Sequence, residues 1–272
     1  LQRIFSYTQL ADQLGMVLAP LLAVLLLRFL SWDIIVAITA VLFLISDIAL
    51  KLWAKDTNVI FNVKSLKSMK IMDDLKIGLR NIVSIPKLLS LIVLAFSINL
   101  ILGALLASVI PIFTGLLGES QSAYASLHVM GIVATMVVLL VTAKFTFKLK
   151  IMGILSFLVM TAGAFLTGIS DNSVLYVIGY VLIVGFDKMF NIYSRTFRAK
   201  IIAEKDFGKT IGLIVLFNNI SQPIAGLIIA VYANIIGVQS IVLYISIFAF
   251  LLGVIVFILQ KIKSSRFSIV KS

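Results

Sequence analysis

The sequence predicts an all-α integral membrane protein, built as a helical bundle with about eight transmembrane helices. Of its 272 residues, 61% are hydrophobic and only 12% are charged, and the mean hydropathy is +1.18. A soluble domain carries about 25% charged residues. The apolar segments are also long and unbroken, as transmembrane helices of about 20 residues require, rather than short and alternating as in β-barrel strands. We therefore expect the lipid bilayer to surround most of the chain.

Eight apolar segments are long enough to cross a bilayer. In chain order they cover residues 8–30, 32–53, 88–113, 123–142, 151–169, 174–193, 211–235 and 241–259. The connections that follow the second, fourth, sixth and eighth segments are rich in Lys. The connections that follow the other segments hold almost no basic residue apart from Arg28. Because cytoplasmic loops retain Lys and Arg, both ends of this chain are predicted to be cytoplasmic. The net charge of +12 is then explained by topology, so no nucleic acid is expected as a partner.

The composition also argues against several kinds of chemistry. The chain has no cysteine and a single histidine, His128, so neither a thiolate nor a histidine metal cluster is expected. No Gly-rich nucleotide-binding loop with Lys and Ser or Thr is present. We expect a protein that is not an enzyme and that holds no metal or cofactor. A membrane enzyme is a weaker alternative, because its acids would have to cluster at one depth.

The long connection between the second and third spans, residues 55–87, contains an amphipathic pattern. Its apolar residues recur at helical spacing and face away from the charged ones: Ile71, Met72, Leu75, Leu79, Ile82 and Val83. This pattern predicts a helix lying on the inner membrane surface before Pro86 begins the next span.

Two spans, a long basic loop and six further spans resemble the second part of a Major Facilitator Superfamily transporter. Two segments carry the resemblance more closely. "LGMVLAPLLA" is similar to the fifth-helix motif of exporters in that superfamily. "RAKIIAEKDFGKTIGLIVLFNNISQPIAG" resembles the tenth-to-eleventh-helix region of the branch that contains macrolide efflux proteins and siderophore exporters.

The resemblance implies that the chain holds the equivalents of helices 5 to 12 and lacks the first four, so that it is N-terminally truncated. Residues 1–54 are then the last two helices of the N-terminal bundle, and 55–87 are a basic cytoplasmic linker. Residues 88–260 form the six-helix C-terminal bundle, and 261–272 form a basic cytoplasmic tail. The implied function is proton-coupled efflux of a siderophore, metallophore or drug by alternating access in the bacterial inner membrane, as an antiporter that acts as a monomer.

The sixth span provides the main candidates for a transport pathway. Asp187, Lys188, Asn191 and Arg195 share one helical stripe with Ser194 and Arg198, inside the membrane and nearer the cytoplasm. If the stripe meets a cavity, Asp187 exchanges a proton or binds a cationic group, while Lys188 and Arg195 hold an anionic part of the substrate. If it does not, Lys188 reaches the inner headgroups and pairs with Asp187, which would serve topology alone.

Amides in two other spans are further candidates. Asn218, Asn219 and Gln222 lie in the seventh span and Asn99 lies in the third. These side chains could hydrogen-bond a polar substrate, or they could tie neighbouring helices together.

A third group of residues suits helix packing and gating. Small residues at four-residue spacing allow helices to approach closely, and proline permits a bend. The residues are Gly15, Ala19, Pro20 and Ala23 in the first span, and Pro223 and Gly226 in the seventh.

The leading interpretation is a secondary transporter with a small-molecule substrate and protons as the coupling ion. A non-transporting remnant or a membrane scaffold is the alternative from another class.

Overall fold

The computed structural model describes residues 2–56, 71–145 and 147–269, and this part of the chain is helical without a strand. Ten α-helices follow one another in it. They are α1 (Gln2–Leu26), α2 (Trp32–Asp56), α3 (Ile71–Ser84), α4 (Pro86–Ile110), α5 (Gln121–Lys144), α6 (Leu149–Ile169), α7 (Ser173–Ile201), α8 (Phe207–Asn219), α9 (Ser221–Ile236) and α10 (Val238–Ile269).

Seven helical segments of the described chain are long and apolar enough to cross a membrane, with α8 and α9 together forming one of them. Large apolar side chains cover the outside of these segments, including Phe43 (74% exposed), Val174 (71%) and Leu106 (66%). An exterior of this kind is stable against lipid and not against water. The predicted all-α membrane bundle is thereby confirmed. The remaining predicted span, residues 8–30, falls on α1, which is not one of the seven, and its crossing stays a prediction.

The chain divides into two compact units, Ala11–Lys70 and Leu1–Leu10 with Ile71–Ser272. The sequence predicted that residues 1–54 form one structural part of the chain. In the structure, the first turns of α1, up to Leu10, belong instead to the unit that contains Ile71–Ser272. Phe5 and Leu10 contact the buried cluster that contains Leu139, Met152 and Ile192. The beginning of α1 therefore forms part of the surroundings of α5, α6 and α7.

Helix α7 packs against both α5 and α6. Gly163 of α6 and Gly179 of α7 meet so closely that a Cβ on either would lie 2.7 Å from the carbonyl oxygen of the other. On the opposite side, the Thr135 hydroxyl of α5 donates to the Val184 carbonyl at 3.1 Å. Because membrane helices gain no hydrophobic energy from leaving lipid, close packing and such interhelical bonds hold them together.

Two predicted spans have different bounds in the structure. Helix α7 was predicted to end at Tyr193 but continues to Ile201, beginning where the Asn172 side chain accepts the Leu175 N–H at 2.9 Å. The span 211–235 consists of two helices, α8 and α9, that meet at Ile220. Proline has no N–H to donate, and Pro223 stands in the first turn of α9, where a missing donor costs least.

Helix α3 matches the predicted amphipathic segment, and it docks on the start of α8. Lys209 Nζ lies 2.5 Å from Asp74 Oδ1, and Asn81 Nδ2 donates to Thr210 Oγ1 at 3.0 Å. Gly78 lies directly over the Lys209 carbonyl, so α3 and α8 are in close contact.

One apolar side of α3 remains exposed in spite of this docking. Ile82 is buried with the start of α4, but three others of the predicted stripe are exposed: Leu75, Leu79 and Val83. Apolar side chains left at the surface beside Lys76 and Arg80 suit a lipid headgroup region. The location of α3 on the membrane surface stays a prediction.

Candidate functional site

The candidate site is a polar stripe along α7, formed by Asp187, Lys188, Asn191, Ser194, Arg195 and Arg198. These positions fall within about 120° of one another around the helix axis. The exposed fraction is only 7% for Asp187, 3% for Ser194 and 8% for Arg198. The other three positions, Lys188, Asn191 and Arg195, are half-buried. The ion pair between Lys188 and Asp187 is the one that the topological alternative predicts, so the contact of the stripe with a cavity stays a prediction.

Asp187 is held by two neighbours on its own helix. Lys188 Nζ lies 3.0 Å from Asp187 Oδ2, and Asn191 Nδ2 donates to Asp187 Oδ1 at 3.0 Å. The same amide nitrogen reaches the Asp187 carbonyl at 3.1 Å. A buried carboxylate is tolerated when it has such partners, because a salt bridge and a hydrogen bond replace lost water contacts. The predicted grouping of these three residues is therefore present as a connected network.

The depth of this network follows from the length of α7. The helix begins at Ser173, so Asp187 stands 14 residues, about 21 Å, along it. The hydrocarbon core of a bilayer is about 30 Å thick. An acid at that depth is energetically costly unless it faces water, a partner or a ligand, which makes Asp187 a functional candidate on physical grounds.

Arg195 and Arg198 occupy the last turns of α7. With the Gln9 amide oriented to suit its neighbours, Gln9 Oε1 accepts from Arg195 Nη1 and Nη2, both at 3.2 Å. Arg198 Nε donates to the Ser194 carbonyl at 3.2 Å. The periodicity places Arg198 on the stripe, but only tertiary packing brings Gln9 to Arg195.

The predicted amides separate into three environments. Gln222 Nε2 donates to Asn99 Oδ1 at 2.9 Å, while Asn99 Nδ2 donates to the Ala95 carbonyl at 2.8 Å. These two amides tie α9 to α4. Asn218 is 7% exposed, and its Oδ1 has no hydrogen-bond partner among the described residues. Asn219 is exposed, so the structure does not bring it together with the others.

The contact between Asn99 and Gln222 depends on a neighbouring glycine. A Cβ added at Gly103 of α4 would lie 2.6 Å from Gln222 Cα and 2.7 Å from the Gln222 carbonyl oxygen. Gly103 therefore allows α4 and α9 to approach until their amides meet.

The residues predicted for close packing can be compared with the described contacts only in part. A Cβ at Gly226 would meet no atom of the described chain within 4 Å. The packing role of Gly15 stays a prediction. Pro223 is exposed at the start of α9. The predicted roles of Ala19, Pro20 and Ala23 lie outside the described side chains. Four-residue spacing of small residues recurs in many membrane helices, and which of them meet a partner is decided by packing.

A separate polar group lies nearer the beginning of α7. The Tyr180 hydroxyl and His128 Nδ1 are 3.1 Å apart, and the His128 ring meets the Tyr124 ring edge-on with centroids 4.6 Å apart. A Cβ at Gly131 would lie 2.8 Å from the Tyr180 ring, so this glycine makes room for the tyrosine. The arrangement leaves His128 hydrogen-bonded between aromatic rings.

A surface cleft of about 220 Å³ lies at the end of the bundle opposite Arg195, lined by Pro111, Ile112, Leu116 and residues 237–240. None of its lining residues is charged. It does not include any residue of the polar stripe and adds nothing to the candidate site.

Comparison with known proteins places this architecture in a family. The sequence profile described as Major Facilitator Superfamily matches residues 1–194, which covers α1 to most of α7. No curated protein and no solved structure matches the chain. A match over more than half of the chain agrees with the membrane-length helices and with the polar residues buried in them. The chain therefore belongs to the Major Facilitator Superfamily, a family of multi-pass membrane transporters.

Proposed function

We propose that this chain acts as a secondary transporter that exports a small amphiphilic or chelating molecule, a metallophore or a drug, in exchange for protons. The observation that carries the proposal is the partly buried polar stripe of α7 with its buried acid, Asp187. Alternating access would expose that stripe first to one side of the membrane and then to the other. The substrate class rests on the resemblance of residues 198–226 to macrolide efflux and siderophore export proteins.

The chemistry of exchange can be derived from the Asp187 network. Ionised Asp187 is neutralised by Lys188, whereas protonated Asp187 leaves that ammonium without its partner. A cationic group of the substrate and a proton both neutralise the carboxylate, so they compete for it. In alternating access, the carboxylate is open to only one side of the membrane at a time. If the substrate binds it from the cytoplasm and a proton binds it from outside, export of the substrate is coupled to uptake of the proton.

The transport test uses everted membrane vesicles that carry the full chain and a pH gradient, with labelled metallophores and macrolides as probes. We expect Asp187→Asn to lose transport driven by the gradient, because the amide can neither take up a proton nor neutralise a cationic group of the substrate. The matched control is Asp171→Asn, which changes an exposed acid in the turn between α6 and α7.

The outcomes separate the parts of the proposal. Gradient-driven transport that is unchanged in Asp187→Asn would remove Asp187 from the coupling mechanism. A wild-type chain that moves none of the probes in either direction would overturn the proposed activity and favour a non-transporting scaffold.

We also propose that the chain lies in a bacterial inner membrane with both ends in the cytoplasm, on the distribution of Lys and Arg among the loops. Because the chain has no cysteine, a single introduced one is a unique label. Asp171→Cys should react with a membrane-impermeant maleimide in intact cells, whereas Lys200→Cys should react only after permeabilisation. The reverse pattern would invert the orientation.

A further inference from the structure

The end of α7 carries two arginines whose charges are not balanced. Arg195 and Arg198 stand one helical turn apart on the polar stripe, and Arg198 is only 8% exposed. No carboxylate of the described side chains lies within 4 Å of either guanidinium. The acid on the same stripe, Asp187, is already paired with Lys188. A buried charge without a counterion is unfavourable, and two like charges one turn apart add repulsion.

The contact with Gln9 indicates which ligand would relieve this imbalance. With the Gln9 amide oriented to suit its neighbours, both Arg195 Nη atoms donate to its oxygen at 3.2 Å, and Gln9 is itself 5% exposed. A guanidinium that presents two donors together is matched to carboxylate and phosphate oxygens, which bind it more strongly than a neutral amide oxygen does. Gln9 Oε1 thus lies where an anion oxygen would lie.

The level of the arginines in the bilayer limits where that anion comes from. Arg198 stands 25 residues after Ser173, about 37 Å along α7, beyond a hydrocarbon core about 30 Å thick. The two side chains therefore lie at the level of headgroups and water on the basic side, where Lys200 is exposed. An oxyanion can reach them from the aqueous phase or as the phosphate of a lipid headgroup.

We propose that Arg195 and Arg198 form an oxyanion-binding site, for a carboxylate or a phosphate, that Gln9 caps when the anion is absent. Binding displaces the Gln9 oxygen from Arg195 and releases a contact between α1 and α7. The site deepens the proposed function, because an anionic substrate would be held first at this end of the stripe. Oxyanion binding itself needs neither a proton gradient nor transport.

The test measures binding to the purified full chain in neutral detergent micelles, by thermal unfolding and equilibrium titration with inorganic phosphate against chloride at equal ionic strength. We expect phosphate to stabilise the wild type, since a ligand that binds only the folded state raises its stability. Arg198→Gln should weaken phosphate binding at least about tenfold, because a charged hydrogen bond is lost. Lys200→Gln, the exposed charge on the same helix, should bind as the wild type does.

Two further variants keep the test decisive if Arg198→Gln does not fold. Arg195→Gln should also weaken phosphate binding at least about tenfold, and Gln9→Ala should strengthen it by removing the competing oxygen. A second arm replaces phosphate with vesicles of phosphatidylglycerol, using phosphatidylcholine vesicles as the uncharged comparison. Stabilisation by phosphate supports the site with a soluble anion, and stabilisation by phosphatidylglycerol alone supports it with a headgroup. Equal stabilisation of the wild type and both arginine variants, or none in either arm, overturns the proposal.

These outcomes are independent of the transport assay. A chain that binds phosphate through Arg195 and Arg198 but exports nothing would retain the site and lose the proposed function. A chain that exports substrate without binding an oxyanion would do the opposite.

Discussion

Gly103→Ala tests whether the contact between α4 and α9 has the closeness that the structure shows. Alanine is favoured over glycine in a helix interior by about 1 kcal/mol. Here the new Cβ would lie 2.6 Å from Gln222 Cα, whereas ordinary contacts fall at 3.4–4 Å, so the helices must separate by roughly 1 Å. The obstructing atoms are backbone and cannot rotate away. Overpacking costs about 1–3 kcal/mol, and the Asn99–Gln222 hydrogen bond, worth about 0.6–1.7 kcal/mol in a membrane helix pair, is lost with it.

The expected net result is a free energy of unfolding lower by about 1–3 kcal/mol. It can be measured by reversible unfolding of the full chain in mixed micelles with a denaturing detergent. The matched control is Gly226→Ala, whose Cβ would meet no atom within 4 Å, so that only the gain in helix propensity remains. Equal or higher stability of Gly103→Ala relative to Gly226→Ala would refute the close contact between α4 and α9.

Two further predictions concern ion pairs. Asp187→Asn should lower the free energy of unfolding by about 1–3 kcal/mol, because it leaves the half-buried Lys188 without its partner. Adding Lys188→Gln should recover part of that loss, and strictly additive effects in a double-mutant cycle would show that the two side chains are not coupled. Asp74→Asn should loosen the docking of α3 on α8 by removing the ion pair with Lys209. The expected signal is faster amide hydrogen exchange across Ile71–Ser84, whereas unchanged exchange there would mean that packing alone holds α3 in place.

The helices themselves could be predicted from the sequence because the bilayer imposes simple requirements. Backbone groups in lipid must bond within their own helix, and a span needs about 20 apolar residues. The predicted amphipathic helix over residues 71–83 and the predicted helix start at Pro86 both agree with the structure, in which α3 spans Ile71–Ser84 and α4 begins at Pro86. The break at Ile220 was missed as a boundary, although Pro223 had indicated a disturbed backbone in that segment.

The candidate site could be predicted in part. Helical periodicity alone aligns Asp187, Lys188 and Asn191, and the structure connects them as one network. Periodicity does not distinguish Asn218, which is buried, from Asn219, which is exposed, until the neighbours of α8 are known.

The sequence by itself determined the class of protein, the helical spans and the existence of a polar stripe on α7. Only the tertiary structure decided that Asp187 and Arg198 of the stripe are buried, that Gln9 meets Arg195, and that Gly103 rather than Gly226 lies at a close helix contact. The physical reason is that lipid tails and protein interiors are equally apolar. Hydrophobicity therefore identifies a membrane helix without showing which of its sides meets another helix, and that choice depends on the shapes of the neighbouring helices.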